Sequence, residues 1–244
     1  MAGKDGESGD PGRVWIFPLI AGAVALVFAG LLARQWAARR RPYQLAWCAA
    51  LLMYAGGSFA LFLGVLDGWS TSEYRAYWLL GAILNVPYLA LGEVYLLVRD
   101  RRVGNVLLLI LLFLTGFAFN RVRTAGLDVS ALAKDLPLGK DAFAADTLPY
   151  RLSQLYAYPA YVFLLLGCAW SIARMRGRPE SRDRLLGTVG IAVGSTVVAI
   201  GSGIGAGLDV VPLFSVGLAA GIAVMFWGFL RASRPAAAPT ASAS

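Results

Sequence analysis

Apolar runs of roughly 20 residues recur seven times along the 244-residue chain, at about 14–35, 44–66, 74–98, 103–120, 150–173, 185–207 and 210–231. Each is as long as a helix must be to cross a hydrocarbon core of about 30 Å. A membrane β-barrel would instead alternate polar and apolar positions over segments of about 10 residues. The pattern predicts an all-α, polytopic integral membrane protein with seven transmembrane helices. The first run is longer than the apolar core of a signal peptide, about 7–15 residues. Its leader carries Asp5, Glu7 and Asp10 against only Lys4 and Arg13, so it reads as a retained helix. Residues 1–13 and 232–244 are small, polar and Pro/Ala/Ser-rich, and are expected to be disordered tails around a transmembrane domain spanning 14–231.

Helical spacing orients the spans. In the third, Tyr74, Tyr77, Gly81, Asn85, Tyr88, Gly92 and Tyr95 form one stripe; in the fifth, Gln154, Tyr158, Tyr161, Leu165 and Cys168 do the same; the second offers Tyr43, Trp47, Tyr54 and Ser58. Lipid-facing surfaces gain nothing from amides, so these stripes are expected to face the bundle interior. The candidate lining of a cavity between the second, third and fifth spans is Tyr54, Tyr77, Asn85, Tyr88, Gln154, Tyr158 and Tyr161. The plainer alternative is that these side chains only fill space and bond one another. Tyr43, Tyr74 and Tyr150 fit the interfacial aromatic belt. Pro87 and Pro159 each free a carbonyl one turn earlier, near Ile83 and Leu155, and can kink their helices.

The sixth span carries Gly187, Gly190, Gly194, Gly201 and Gly205 on one side, and the seventh carries Gly217, Gly221 and Gly228. Small residues at this spacing let backbones approach closely, so the two are expected to pack as a pair. The fourth span, "VGNVLLLILLFLTGFAF", is apolar on nearly every side and belongs toward lipid. Three spans, a spacer and three more resemble the layout of small sugar transporters of the SWEET type, although the Pro–Gln pair typical of those loops is missing here.

Charge then orients the bundle. The chain is 58% hydrophobic and only 15% charged, with a formal net charge of +8. Fourteen of its 22 basic residues fall in the connections after the odd-numbered spans, as at Arg39, Arg40, Arg41 and at Arg99, Arg101, Arg102. Basic residues flank cytoplasmic helix ends. The N-terminus is therefore expected outside and the C-terminus in the cytoplasm. The basic excess serves topology and attraction to anionic lipid headgroups, not nucleic acid. High Ala, Gly and Arg suggest a GC-rich bacterial genome, and hence the plasma (inner) membrane.

Histidine is absent, which removes bis-histidine haem, histidine-ligated zinc and Ser–His nucleophilic catalysis. All three lysines, Lys4, Lys134 and Lys140, lie outside the spans, so no retinal Schiff base forms as in an opsin. Cys48 and Cys168 make no redox motif, and are expected as separate buried thiols. No metal or cofactor is expected. The long connection 121–149 mixes charges with Leu and Phe, and should form a partly ordered cap with a short helix near 128–134. Its Asp128, Asp135, Asp141 and Asp146 are not spaced like the ligands of a diphosphate-binding enzyme.

Glu93 is the only acidic residue within the spans. It lies roughly 9 Å of helix rise from Arg99 and about 100° from the tyrosine stripe. It either reaches an arginine of the 34–41 or 174–178 segments or acts as a proton or cation coupling site. The favoured function is binding or transport of a small molecule or lipid in the cavity. A non-catalytic accessory or sensory subunit with a membrane-protein partner is the alternative, and a lipid- or isoprenoid-modifying enzyme comes third.

Overall fold

Seven helices of 19 to 28 residues are long and apolar enough to cross a membrane in the computed structural model, which describes residues 16–134, 136–176, 182–205 and 211–232. They are α1 (Ile16–Arg39), α2 (Pro42–Asp67), α3 (Thr71–Leu97), α4 (Arg101–Thr124), α5 (Leu148–Met175), α6 (Arg182–Ile200, continued by a π-helical turn Gly201–Gly205) and α7 (Val211–Ala232). Every described element is helical. The two expected disordered tails lie outside the described residues, apart from Ala232, which ends α7.

Local chemistry sets the helix ends. Pro42 opens α2, where its missing N–H costs nothing. Gly68, at φ 86°, ends it in a conformation that disfavours a side chain. Ser70 and Glu73 then start α3 with a reciprocal capping box. Asp100 caps α4 by accepting the Arg102 amide at 2.9 Å. Within α3, Trp78–Leu84 is π-helical, with the Asn85 amide donating to the Leu80 carbonyl five residues back. Pro87 explains the position of this widened turn. It has no N–H to give Ile83, and its ring crowds that carbonyl, so the helix relaxes just before it.

The helices form a ring of six. α1 packs on α2, α2 on α3, α3 on α5, α5 on α6, α6 on α7, and α7 returns to α1. α4 docks outside the ring against α3 and α5, and presents Leu109 and Phe113 outward, as its uniform apolarity predicts. The glycine seam of α6 and α7 is observed. A Cβ at Gly190 would stand 2.9 Å from the Gly228 Cα, and one at Gly201 would stand 2.9 Å from the Gly217 Cα. Such contact lets dispersion act along the whole pair. Between α1 and α7, Phe28 meets Phe229 at 4.7 Å and Phe226 at 5.3 Å.

One end of the bundle gathers arginines. Arg40 over Trp36, Arg174 over Trp170 and Arg231 over Trp227 each pair a cation with an aromatic ring one turn earlier, at 4.5 to 5.8 Å. The opposite end carries the described residues of the 121–149 connection as a cap, with helical turns at Ala131–Ala133 and Gly139–Ala142. Leu132, Ala142 and Phe143 pack there against Tyr74 and Trp78. The Tyr74 hydroxyl donates to the Pro137 carbonyl (3.2 Å), Trp78 Nε1 to Pro149 (3.1 Å) and Arg75 Nη2 to Ala125 (2.8 Å). Tyr74 is thus a fully buried core residue of the cap and not a member of an interfacial belt. Tyr150 also turns inward, stacking on Trp78.

Candidate functional site

A cavity of about 660 Å³ lies inside the ring near the loop end, within the range that holds a drug-sized ligand. Small side chains make the space. Gly57 and Gly81, so close that a Cβ at Gly57 would stand 3.1 Å from the Gly81 Cα, join Ala82, Ala157 and Ala199 along its wall. The floor is apolar, made by Leu51, Leu164, Ile222 and Met225, and residues 136–140 of the cap form its roof.

Six of the seven sequence-predicted residues line it: Tyr54, Tyr77, Asn85, Gln154, Tyr158 and Tyr161. Three are held by bonds between helices. The Tyr54 hydroxyl donates to the Leu218 carbonyl of α7 at 2.9 Å, Asn85 Nδ2 to the Ala50 carbonyl of α2 at 3.0 Å, and the Tyr161 hydroxyl to Thr196 Oγ1 of α6 at 3.0 Å. Tyr77, Gln154 and Ser58 face the cavity with no hydrogen bond to another described residue. Among the described residues their bonding capacity is unspent, and Ser58 is only 5% exposed. Polar groups so enclosed need partners. Tyr158 stands at the rim, 65% exposed.

Tyr88, expected in the lining, lies outside it. Its hydroxyl pairs with Thr115 Oγ1 of α4 at 3.1 Å, and its ring packs with Ala46, Ala50, Leu91 and Leu111. The π-helical turn is the cause. The cavity face of α3 runs Tyr77, Gly81, Asn85, Leu89 in steps of four, the repeat favoured by a widened turn. The three-residue step from Asn85 to Tyr88 therefore leads around to α4. Tyr95 follows it, donating to Asn105 Oδ1 at 2.9 Å.

The cavity also draws on α6 and α7, beyond the expected second, third and fifth spans. Ser195, Ala199 and Ser202 of α6, and Phe214 and Leu218 of α7, complete it. Ser195 and Ser202, two turns apart and each about 100° round α6 from the seam glycines Gly194 and Gly201, were the available signal for α6. Nothing in the sequence marks residues 136–140 as a roof beyond their apolar content. Lys140 is the one charged residue in the described lining.

Glu93 lies outside the cavity lining, as its angular offset from the stripe implies. It is 4% exposed and packs against α5, where a Cβ at Gly167 would fall 2.7 Å from its Cγ and 2.8 Å from Oε1. Cys168 is its neighbour there. Among the described residues the ion pairs are Lys134–Asp141 and Arg231–Asp183, so the expected arginine partner for Glu93 is not found among them. Cys48 and Cys168 are both buried and free, and Cys48 Sγ donates to the Ala29 carbonyl at 3.4 Å. Among the described residues no three His, Cys, Asp or Glu side chains converge as metal ligands. Comparison of the chain with protein-family models, with curated proteins and with solved structures gives no match.

Proposed function

We propose that this protein binds or carries a small molecule with both polar and apolar parts in the cavity between α2, α3 and α5, as a plasma-membrane protein whose loop end faces outward and whose arginine end is cytoplasmic. The observation that carries this reading is the trio Ser58, Tyr77 and Gln154, polar side chains that line the cavity with no hydrogen-bond partner among the described residues. An interior meant only for packing would spend those groups on neighbours, as Tyr54, Asn85 and Tyr161 do. The arginine-rich end with its Arg–Trp pairs supports the orientation. Both π-helical turns among the described residues, in α3 and at the end of α6, border the cavity, and such turns concentrate at functional sites.

The test is intact-mass spectrometry of the whole chain released from mild detergent. Wild-type protein should carry a bound mass adduct, Ser58→Phe should lose it, and Tyr88→Phe, which alters only the α3–α4 contact, should keep it. An adduct retained equally by all three, or absent from wild type, contradicts the reading.

A further inference from the structure

We infer that the ligand is a single-chain amphiphile with an anionic head, entering from the bilayer through a window between α5 and α6. The inference rests on the cavity reading above and narrows it.

The window follows from how the two helices meet. The Tyr161–Thr196 hydrogen bond ties them near their midpoints. Toward the loop end from that tie, no hydrogen bond between described residues crosses the seam; the cavity-lining positions Ala157 on α5 and Ala199 and Gly203 on α6 are small, and a Cβ built at Gly203 would meet nothing within 4 Å. Tyr158 belongs to two surfaces at once. It lines the cavity, and it also shares the outward face of α5 with Leu155, 68% exposed, and Val162, 54% exposed. A side chain can do both only where the wall is open sideways. At this depth the medium beside α5 is hydrocarbon, so what passes the window is soluble in lipid.

The polarity of the interior fixes the rest. Lys140, Tyr150 and Gln154 sit at the loop end, and Leu51, Leu164 and Met225 sit deeper. This gradient runs the same way as that of the adjoining leaflet, with heads at the surface and chains toward the midplane. An amphiphile can therefore slide in without inverting. Lys140 supplies a cation for the head. A volume of about 660 Å³ suits one drug-sized molecule or one acyl or prenyl chain.

The experiment reconstitutes the full chain in phosphatidylcholine vesicles with either of two probes carrying a diazirine on the same acyl chain, one lysophosphatidic acid and one a neutral monoacylglycerol. After irradiation, label should map to Leu164 and Met225 at the floor. Ala199→Trp, which narrows the window, should cut floor labelling at least about tenfold, as expected for an entry path closed by bulk. Lys140→Gln should lower labelling by the phosphate probe by up to about fivefold and leave the neutral probe unchanged, the size of one exposed charge contact. The two-probe comparison on wild type needs no variant to fold. Label confined to Leu155, Val162 and Leu166, on the outer face, overturns the window; if the wild-type mass adduct is then a water-soluble compound, the cavity reading still stands. An equal effect of Lys140→Gln on both probes overturns the anionic head. Absence of both floor label and adduct removes both proposals.

Discussion

The carboxylate of Glu93 on α3 occupies the space that a side chain at Gly167 on α5 would fill, with Oε1 2.8 Å from where that Cβ would stand. The glycine is thus the socket for the acid, and the α3–α5 contact at the arginine end depends on the match. Gly167→Ala should destabilise the protein by about 1–3 kcal/mol through overpacking. Adding Glu93→Ala should recover most of the loss, with a coupling term of at least about 1 kcal/mol. Thermal unfolding of the four proteins in one detergent measures it. Additive losses would show that the two residues do not share the site.

Pro87 is expected to hold the π-helical turn in place. Pro87→Ala restores an N–H that can reach the Ile83 carbonyl, so Trp78–Leu84 should relax toward α-helix. That change rotates Tyr77 and Gly81 relative to Asn85 and should abolish ligand binding while the protein stays folded. Binding by the variant within about twofold of wild type, an energy of roughly 0.4 kcal/mol, would contradict this account of the turn.

Tyr77→Phe and Tyr88→Phe remove the same atom from the same helix and should behave differently. Tyr77 faces the cavity, so its loss should weaken ligand binding by about fivefold, the worth of one hydrogen bond near 1 kcal/mol. Tyr88 bonds Thr115, so its loss should leave binding intact and lower stability by about 1 kcal/mol. Ligand titration beside thermal unfolding separates the two.

The cap should loosen in acid. The Asp128 carboxylate accepts the Ser130 amide and hydroxyl at 2.9 and 2.7 Å, and these bonds hold its pKa below the ordinary carboxylate value. A lowered folded value means the stabilisation is complete above the unfolded pKa and disappears as pH falls through the folded one. Hydrogen exchange at Ser130 should therefore accelerate, relative to the intrinsic rate, only at strongly acidic pH. Asp128→Asn should weaken that dependence.

The spans, the lipid-facing α4, the α6–α7 seam and most of the cavity wall were legible because each is written in local spacing. Leucines around the whole of α4, glycines repeating along α6 and α7, and tyrosines and amides on α3 report which side of a helix is covered, whereas Tyr158 of the α5 stripe, expected to face inward, stands 65% exposed at the rim. Tyr88 escaped because a π-helical turn changes the period partway through α3, and the sequence announces it only through Pro87. The roof at 136–140 and the burial of Tyr74 depend on how a long connection folds back over helices distant in sequence. No periodicity encodes that. That no described residue forms an ion pair with Glu93 likewise depends on which helix faces it, and Gly167, 74 residues onward, gives no local sign of its role.

The most direct measurement is the reactivity of Ser58→Cys, with Cys48→Ala and Cys168→Ala to remove the native thiols, toward a membrane-impermeant thiol reagent on intact cells. The account predicts modification from outside, through the loop end, with Thr115→Cys at the α3–α4 contact left unmodified under the same conditions. A thiol at position 58 that reacts from neither face, or only from the cytoplasmic one, would contradict it.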